Sequence, residues 1–352
     1  MRQPSAEPSL TVGAEVYFAE TTGDKFMPLF TRRTALAFCL AATAMAALPA
    51  HAADTFPDRP VTLLIPYPPG GSADMLARPL SAVLQKKWGQ PVLLDYKAGA
   101  GGAIATGQLA KSKPDGYTLI MVLAAHAINP SLYTNLPYDT RKDFAPVSLV
   151  ANMPLLVIAP LATPANNMQE LIAYAKANPG KLTFASAGPG NTSHLAPEIF
   201  KSVAGIDMLH VPYKGSGPAD VALLAGDVSL MFDSFSTAYP LVKSGKLKAL
   251  AISGAKRSPL LPDVSTISES ALPGYEVNGW YGVLAPAGTP PAIVNKISDD
   301  IAQALKDPAL NSQVASYGYE PVGSSPQVFG KLIDQEIDRW AAVVKSAGVK
   351  LQ

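Results

Sequence analysis

The sequence predicts an α/β fold with largely parallel sheets, divided between two domains, and three observations support this prediction. Short apolar runs, which are typical of buried strands, alternate with amphipathic segments along most of the chain. Glycine-rich turns join several of these runs to the segment that follows, and two extended stretches are bracketed by proline. The length of 352 residues is sufficient for two domains with separate cores.

Hydrophobic periodicity gives the expected elements. We expect strands at Val61–Ile65, Val92–Leu94, Tyr117–Leu123, Leu155–Ala159, Leu182–Ala185, Met208–Val211, Val228–Phe232, Leu247–Ile252 and Gly282–Ala285. We expect helices at Ser72–Trp88, Gly102–Ala110, Met168–Ala177, Ser193–Val203, Ala219–Ala225, Ala238–Lys243, Pro291–Leu305 and Pro326–Ser346.

The two extended stretches, residues 145–160 and 273–286, predict how the chain passes between the domains. A chain that leaves one domain and later returns to it must cross twice. We therefore expect one discontinuous domain formed by residues 53–152 plus 280–352, and a second domain formed by residues 153–279. The alternative is two consecutive domains that divide only once.

The first 52 residues predict export. Arg32-Arg33 precedes the apolar run Thr34–Leu48, and Ala50-His51-Ala52 ends it in the pattern of a secretory signal that is cleaved after Ala52 or nearby. The run is short for the alternative, a membrane anchor, and the arginine pair leaves general secretory and twin-arginine export open. Residues 1–26 are interpreted as a disordered extension or a gene-start artefact. Cys39, the single cysteine, is expected to be lost with the signal.

The charge balance excludes two classes of partner. The formal net charge is +1 and only 16% of the residues are charged. A general nucleic-acid binder has a basic excess, and so does a protein that binds anionic membranes by bulk attraction. Any ligand must therefore be recognised by a local site.

The stretch Ile65–Asp74 predicts an anion-binding turn between a strand and a helix. Gly70-Gly71 precedes Ser72, the expected N-cap, and Asp74 places a carboxylate in the first helical turn. Glycines before a helix N-terminus leave backbone N–H groups open, and the helix dipole there favours a carboxylate or a phosphate. An ordinary strand-to-helix turn is the alternative. Pro79 is expected to kink or divide the helix.

A second glycine-rich turn, Phe184–His194, has the same organisation. It follows a predicted strand and enters a helix that Asn191, Thr192 and Ser193 can cap. His194 is either a local cap or a ligand contact. Because the two turns fall in different predicted domains, their helix N-termini can face each other across a cleft and hold a ligand with a carboxylate at one or both ends.

Other candidates each have a structural alternative. Asp233 ends a predicted strand, where open α/β sheets place ligands, and either contacts the ligand or caps the next helix. His126 and Asn129 follow the third strand, as cleft residues or as part of a turn. Lys214 could meet an anion, although a solvated lysine is the more common case. The run Lys97–Gly102 lacks the last glycine of the dinucleotide-binding pattern and is interpreted as a structural loop.

Motifs of enzymes and metal sites are missing from the sequence. Ser72 and Ser186 lack the G-x-S-x-G context, no histidine pair or acidic cluster has metal-ligand spacing, and no Walker sequence occurs. We therefore expect no catalysis, no cofactor and no metal. The alternative from another class is a secreted α/β serine hydrolase that uses Ser186 or Ser72 with His194. A structural envelope protein without a small ligand is the third.

A family resemblance rests on Pro66–Asp74, Lys113–Leu119, His210–Gly215, Gly245–Ala251 and Trp280–Pro290. In these stretches the chain resembles the Bug family, the periplasmic solute receptors of tripartite tricarboxylate transporters. The resemblance implies a two-domain periplasmic binding protein of the Venus-flytrap type, similar to type II, with two crossover strands and the ligand between the domains. It also implies a periplasmic monomer whose partner is the membrane part of such a transporter, with an orphan receptor or a sensor as the alternative.

The resemblance further implies the ligand class and the site. The ligand is expected to be a small mono-, di- or tricarboxylate or an aromatic acid, held largely by backbone N–H groups, with Asp233 at the far side of the cleft. The expected ligand-binding residues are Tyr67, Pro69, Gly70, Gly71, Ser72, Asp74, His126, Asn129, Ser186, Ala187, Gly188, Asn191, Thr192, His194 and Asp233.

Overall fold

The computed structural model describes residues 56–347, in which helices cover both faces of a ten-stranded sheet. The strands are β1 (Val61–Ile65), β2 (Val92–Tyr96), β3 (Thr118–Leu123), β4 (Phe144–Pro160), β5 (Thr183–Ser186), β6 (Leu209–Pro212), β7 (Leu230–Ser234), β8 (Leu247–Ile252), β9 (Asn278–Pro286) and β10 (Glu320–Pro321). The helices are α1 (Ser72–Trp88), α2 (Ala103–Ala110), α3 (Ala125–Leu132), α4 (Met168–Ala177), α5 (Thr192–Ala204), α6 (Ser216–Ala225), α7 (Phe235–Lys243), α8 (Ile267–Ser270), α9 (Pro291–Lys306), α10 (Pro308–Ser316) and α11 (Pro326–Ala347).

Two sets of three parallel strands form the two halves of the sheet. In the first half β1 lies between β2 and β3, and in the second half β5 lies between β6 and β7. Parallel neighbours need a crossover connection, and helices follow these strands in both halves. The prediction of largely parallel sheets is confirmed within each half, whereas antiparallel strands join the halves.

The long strand β4 belongs to both halves. Its residues 144–154 pair antiparallel with β9, and its residues 155–160 pair antiparallel with β7 and β8. Strand β9 then returns the chain to the first half, where it pairs with β3. The residues at which the two domains were expected to divide fall inside β4 and β9, and these boundaries stay a prediction.

The alternation of side chains along the strands builds two cores, one on each face of the sheet. On β1, Leu64 points into one core while Leu63 and Ile65 point into the other, as the two-residue period of a strand requires. Helices α1, α6 and α9 pack on the Leu63 face, and helices α2, α3, α5 and α11 pack on the Leu64 face. The fold is therefore a three-layer arrangement of helices, sheet and helices.

One local expectation for α1 is wrong, and of the second, that Pro79 kinks or divides the helix, only the division is excluded. The N-cap is Gly71, with an extended backbone, and Ser72 is the first helical residue and makes no capping hydrogen bond. Pro79 does not divide the helix, which continues to Trp88. Leu76 and Leu80, on either side of Pro79, are completely buried, so packing against the sheet outweighs the loss of one helical hydrogen bond.

Three helices, α3, α8 and α10, were not predicted. Residues 125–132, which the sequence suggested as a turn, form α3, although Pro130 lies within it. Burial of Ile128 and Leu132 in the core stabilises this short helix. Helix α10 starts with Pro308 at its first position, where proline is well tolerated, and Asp307 caps it through hydrogen bonds from two backbone N–H groups.

The predicted signal and Cys39 lie outside the described residues. Across residues 56–347, none of the helices combines the length and the apolar character needed to cross a membrane. The same part of the chain holds no group of three or more histidine, cysteine, aspartate or glutamate residues arranged for a metal ion.

Candidate functional site

A small cavity lies where the carboxyl ends of the parallel strands of both halves meet. Its volume is about 40 Å³, and we call it the cleft cavity. Open α/β sheets place their ligands at this end of the strands. Its walls are formed by Tyr67, Pro68, Pro69, Gly71, Ser72, Leu123, Ala187, Asn191, Gly215, Ser216, Gly217, Pro218 and Ser234.

Four helices begin at the cleft cavity. Their N-cap residues are Gly71 for α1, Asn191 for α5, Gly215 for α6 and Ser234 for α7, and all four line the cavity. The first turn of a helix carries unpaired N–H groups and a partial positive charge. Four such ends around one cavity favour an anion.

Neutral donors rather than charges surround this anion position. Within residues 56–347, the backbone N–H groups of Gly71, Ser72, Ser216 and Gly217 have no hydrogen-bond partner. None of the side chains that line the cleft cavity is charged. A carboxylate here would be held by backbone dipoles, which fix its position without a counter-ion.

Tyr67 and Asn191 connect the two halves across the cavity. The Asn191 side-chain amide donates to the Tyr67 hydroxyl over 2.9 Å, although the residues are 124 positions apart. Burial raises the pKa of the Tyr67 hydroxyl far above its usual range, against the opposing effect of the Asn191 hydrogen bond, so the group stays protonated. Since the Tyr67 oxygen accepts from Asn191, its own hydrogen remains free to donate to a ligand.

The first glycine turn is shaped by Asp74. Its carboxylate accepts hydrogen bonds from the Gly70 N–H (2.8 Å), the Arg78 guanidinium (3.0 Å) and the Tyr96 hydroxyl (2.5 Å). Burial alone would raise the pKa of Asp74, but these three hydrogen bonds and the charge of Arg78 lower it, so the group is ionised. The expectation that the Gly70 N–H is open to the ligand is therefore wrong, because Asp74 occupies it.

The second glycine turn is held by its own polar side chains. Asn191 caps α5 by accepting from the Ser193 N–H (3.1 Å), which confirms one of the three predicted caps, and the Ala187 N–H donates to the Ser193 hydroxyl (2.9 Å). The Gly190 N–H donates to Nδ1 of His194 (3.2 Å). Burial lowers the pKa of His194 to about 3, so its ring is neutral and acts as a local cap.

Asp233 lies behind the cleft cavity instead of on its wall. It is completely buried, and its carboxylate accepts from the Ser216 hydroxyl (2.6 Å) and from the Thr237 hydroxyl. Ser216 begins α6 and Thr237 lies in the first turn of α7, so Asp233 connects two of the helix ends that form the site. Asp220, on the next turn of α6, is a second buried carboxyl group beside it.

The predicted site residues separate into three groups by position. Tyr67, Pro69, Gly71, Ser72, Ala187 and Asn191 line the cleft cavity, and Gly188 lines a neighbouring cavity. Gly70, Asp74, Ser186, Thr192, His194 and Asp233 lie in or behind the turns that carry these residues. His126 and Asn129 are on α3 and line neither cavity. The part that each residue has in binding stays a prediction.

His126 and Asn129 are buried at the side of the site. The His126 ring packs against Tyr138 and Phe144, and burial lowers its pKa to about 3. Asn129 donates from its side-chain amide to the Gly101 carbonyl over 3.1 Å. Asn129 thereby holds a loop that does line the neighbouring cavity.

Sequence reasoning considered only Lys214 in the third turn of the site and assigned none of its other residues to the ligand. Gly215, Ser216, Gly217 and Pro218 contribute to the cleft cavity, as does Ser234, whose hydroxyl lies 3.3 Å from the Ser72 hydroxyl. The signal was present, because residues 213–218 also follow a strand, contain two glycines and enter a helix.

Of the two serines named in the hydrolase alternative, Ser72 lines the cleft cavity, whereas Ser186 is not accessible to a substrate. Ser186 is completely buried, and its hydroxyl contacts Nε2 of His210 at 2.6 Å and accepts from the Gly188 N–H. The expected partner, His194, instead stacks on the His210 ring at a centroid distance of 4.0 Å. The hydrogen bonds of Ser186 to His210 and Gly188 therefore stabilise the second glycine turn.

Comparison with known proteins identifies relatives along most of the chain. The sequence profile of the tripartite tricarboxylate transporter family receptors (TctC) matches residues 76–349. Protein BugT of Bordetella pertussis (strain Tohama I) is 39% identical over 324 residues, which cover 92% of this chain and 99% of that protein.

Two solved structures are similar in sequence and fold. Rpa4515 of R. palustris with adipate is 38% identical, has a TM-score of 0.82, and is matched over 84% of this chain and 100% of that one. MatC (Rpa3494) of Rhodopseudomonas palustris with bound malate is 36% identical, has a TM-score of 0.78, and is matched over 82% of this chain and 100% of that one. These likenesses confirm the predicted fold class, the α/β periplasmic binding protein fold.

Proposed function

Since this chain belongs to the family of tripartite tricarboxylate transporter receptors, we propose that its cleft cavity holds one carboxylate group of a small organic acid. Members of the family are solute receptors and not enzymes, so the hydrolase alternative falls away. The chain is accordingly a periplasmic solute-binding protein. What remains to be assigned is how it holds its ligand and which ligand that is.

The observation that carries the proposal is the convergence of four helix N-termini on a cavity without charged side chains. Unpaired N–H groups of Gly71, Ser72, Ser216 and Gly217 supply donors from both halves of the sheet. In a cavity that excludes water, such hydrogen bonds to a charged acceptor are stronger than they are in solvent.

Ligand capture proceeds by closure of two domains around the acid. Strands β4 and β9 connect the halves, and rotation about them would open the cavity to solvent. The Asn191–Tyr67 and Ser234–Ser72 hydrogen bonds link the halves across the cavity and favour the closed form. We place the domain boundaries at residues 152/153 and 279/280, within the connecting strands.

The relatives suggest the size of the acid. One relative was solved with adipate and another with malate, so diacids of four to six carbons are the first ligands to test. We further propose that a signal within residues 1–52 directs export and is cleaved near Ala52, and that the receptor acts as a monomer. Membrane subunits of a tripartite tricarboxylate transporter are its proposed partner.

A thermal-shift screen of the purified receptor tests the proposal. The panel comprises C4 to C6 diacids, citrate, nicotinate, aromatic acids and acidic amino acids. Ligand at 100 times its Kd adds about 2.7 kcal/mol to the free energy of unfolding, and at ~2–4 °C per kcal/mol the Tm rises by several degrees. A selective rise with some acids supports the proposal and identifies the class of ligand. A flat response across the panel would contradict it.

A further inference from the structure

A second, larger cavity adjoins the cleft cavity, and we call it the outer cavity. Its volume is about 410 Å³, and Tyr67, Pro68, Ala187 and Gly215 line both cavities. These shared residues make the two spaces neighbours with a common wall. A volume of about 40 Å³ is small for a whole organic acid, and the adjoining outer cavity offers space for the part of the ligand beyond the carboxylate.

The walls of the outer cavity are mostly apolar or aromatic. Tyr133, Tyr213 and Pro189 line it together with Ile104, a large aliphatic residue that is 56% exposed. A wall of this composition favours the hydrocarbon part of a ligand.

The loop 98–101 forms one side of the outer cavity and has a defined shape. Ala100 has a φ of 48° and is the one non-glycine residue with positive φ among residues 56–347. The hydrogen bond from Asn129 to the Gly101 carbonyl fixes the end of this loop. The loop that the sequence suggested to be structural therefore shapes a wall of the cavity.

Among residues 56–347, Lys214 is the single charged side chain that lines either cavity. It is exposed, and within residues 56–347 it has neither an ion pair nor a hydrogen bond. In the described part of the chain no acidic residue lines the two cavities, so no carboxylate on these walls neutralises its charge. An unpaired cation that lines an otherwise uncharged cavity favours a second anionic group on the ligand.

We propose that the outer cavity binds the hydrocarbon body of the ligand and that Lys214 binds a second anionic group at its distal end. This inference rests on the proposed function, since it assumes that the first carboxylate occupies the cleft cavity. The receptor then selects acids that carry an anion at both ends of an apolar chain, and Lys214 is the residue that distinguishes them from monoacids.

Isothermal titration calorimetry with matched acids tests the inference. Succinate, adipate and suberate are compared with butyrate, hexanoate and octanoate, which keep the chain length but lack the second carboxylate. A charge-assisted hydrogen bond at a partly solvated site corresponds to about a tenfold preference for the best diacid over its monoacid. Lys214→Met, which keeps the apolar stem, should reduce this ratio to near one, and Lys214→Arg should restore most of it.

Lys246→Met is the matched control. Lys246 is also exposed, lines neither cavity, and precedes β8, whose first residue pairs with Pro160 at the end of β4. The control should keep the wild-type ratio. The inference would be overturned if the wild type bound diacids and monoacids equally well, or if Lys214→Met left its preference for diacids unchanged. In either case, binding of the monoacids would still support the proposed function. Failure of all six acids to bind would overturn the inference alone, because the proposed function is contradicted only by a flat response across the whole thermal-shift panel.

Discussion

Substitution Gly71→Val is expected to weaken carboxylate binding by about 100-fold, which corresponds to about 2.7 kcal/mol or roughly one to two charge-assisted hydrogen bonds. Gly71 lines the cleft cavity, and the N–H groups of Gly71 and Ser72 lack partners among the described residues. A branched Cβ at this position occupies the space in which the anion approaches the backbone. Calorimetric titration with the acid that gives the largest thermal shift measures the effect.

The fold should survive this substitution, so the loss can be assigned to the site. The Gly71 backbone has φ −81° and ψ 174°, which any residue can adopt, and a Cβ there meets only the Pro68 carbonyl oxygen at 3.5 Å. Gly71→Ala should give a smaller loss. Gly330→Ala on α11 is the control, because its Cβ makes an ordinary contact with Pro146 at 3.4 Å and lines neither cavity. If a folded Gly71→Val protein bound the acid with unchanged affinity, the turn that contains Gly71 would not be part of the carboxylate site.

Asp220→Asn is expected to make the receptor more stable than the wild type at alkaline pH. Burial, and then the charge of Asp233, raises the pKa of Asp220 well above its usual range. Burial also raises the pKa of Asp233, although hydrogen bonds from Ser216 and Thr237 oppose the rise. The folded state therefore keeps a proton on this pair at a pH where the unfolded chain has lost it.

The direction of the pH effect follows from that difference. Between about pH 4, where an unfolded aspartate titrates, and the raised pKa of the folded state, the folded protein binds more protons and its stability falls as the pH rises. Asparagine has nearly the same shape but does not titrate. Within this window, the difference in the free energy of unfolding between the variant and the wild type should therefore increase by up to about 1.4 kcal/mol per pH unit, in favour of the variant.

Denaturant unfolding at pH 5, 7 and 9 measures this gain. The wild type and Asp220→Asn should be close at pH 5 and separate progressively toward pH 9. Asp227→Asn is the matched control, because Asp227 is an exposed aspartate just beyond the same helix, and it should follow the wild type. If the free energies of unfolding of the wild type and Asp220→Asn differed by the same amount at all three pH values, Asp220 would have the same pKa in the folded and unfolded states, which contradicts the prediction.

Much of the fold was predictable because local pattern and tertiary packing agree. The apolar run Val61–Ile65 and the helical period of Ser72–Trp88 both give the observed bounds. Helix α3 could not be predicted in this way, because it is eight residues long and contains Pro130. Its stability comes from core contacts that no local pattern reveals.

The candidate site was predictable in its chemistry but not in its full membership. The two glycine turns were recognisable because a strand, a glycine and a helix N-terminus follow one another in the sequence. Which side chains line the cavity depends on pairs such as Tyr67 and Asn191, which are 124 positions apart. Asp233 is recognisable in the sequence as the end of a strand, but only the structure shows that it lies behind Ser216, where it connects the starts of two helices.

Calorimetric titration of the receptor with adipate and with adipamide tests the central claim most directly. The two compounds have nearly the same size and shape, but only adipate carries the anionic oxygens that the N–H groups of the cleft cavity are proposed to bind. The account predicts that adipate binds saturably and that adipamide binds at least about 100-fold more weakly. This factor corresponds to the loss of one to two hydrogen bonds to a charged acceptor. Equal affinity for the two compounds would contradict it.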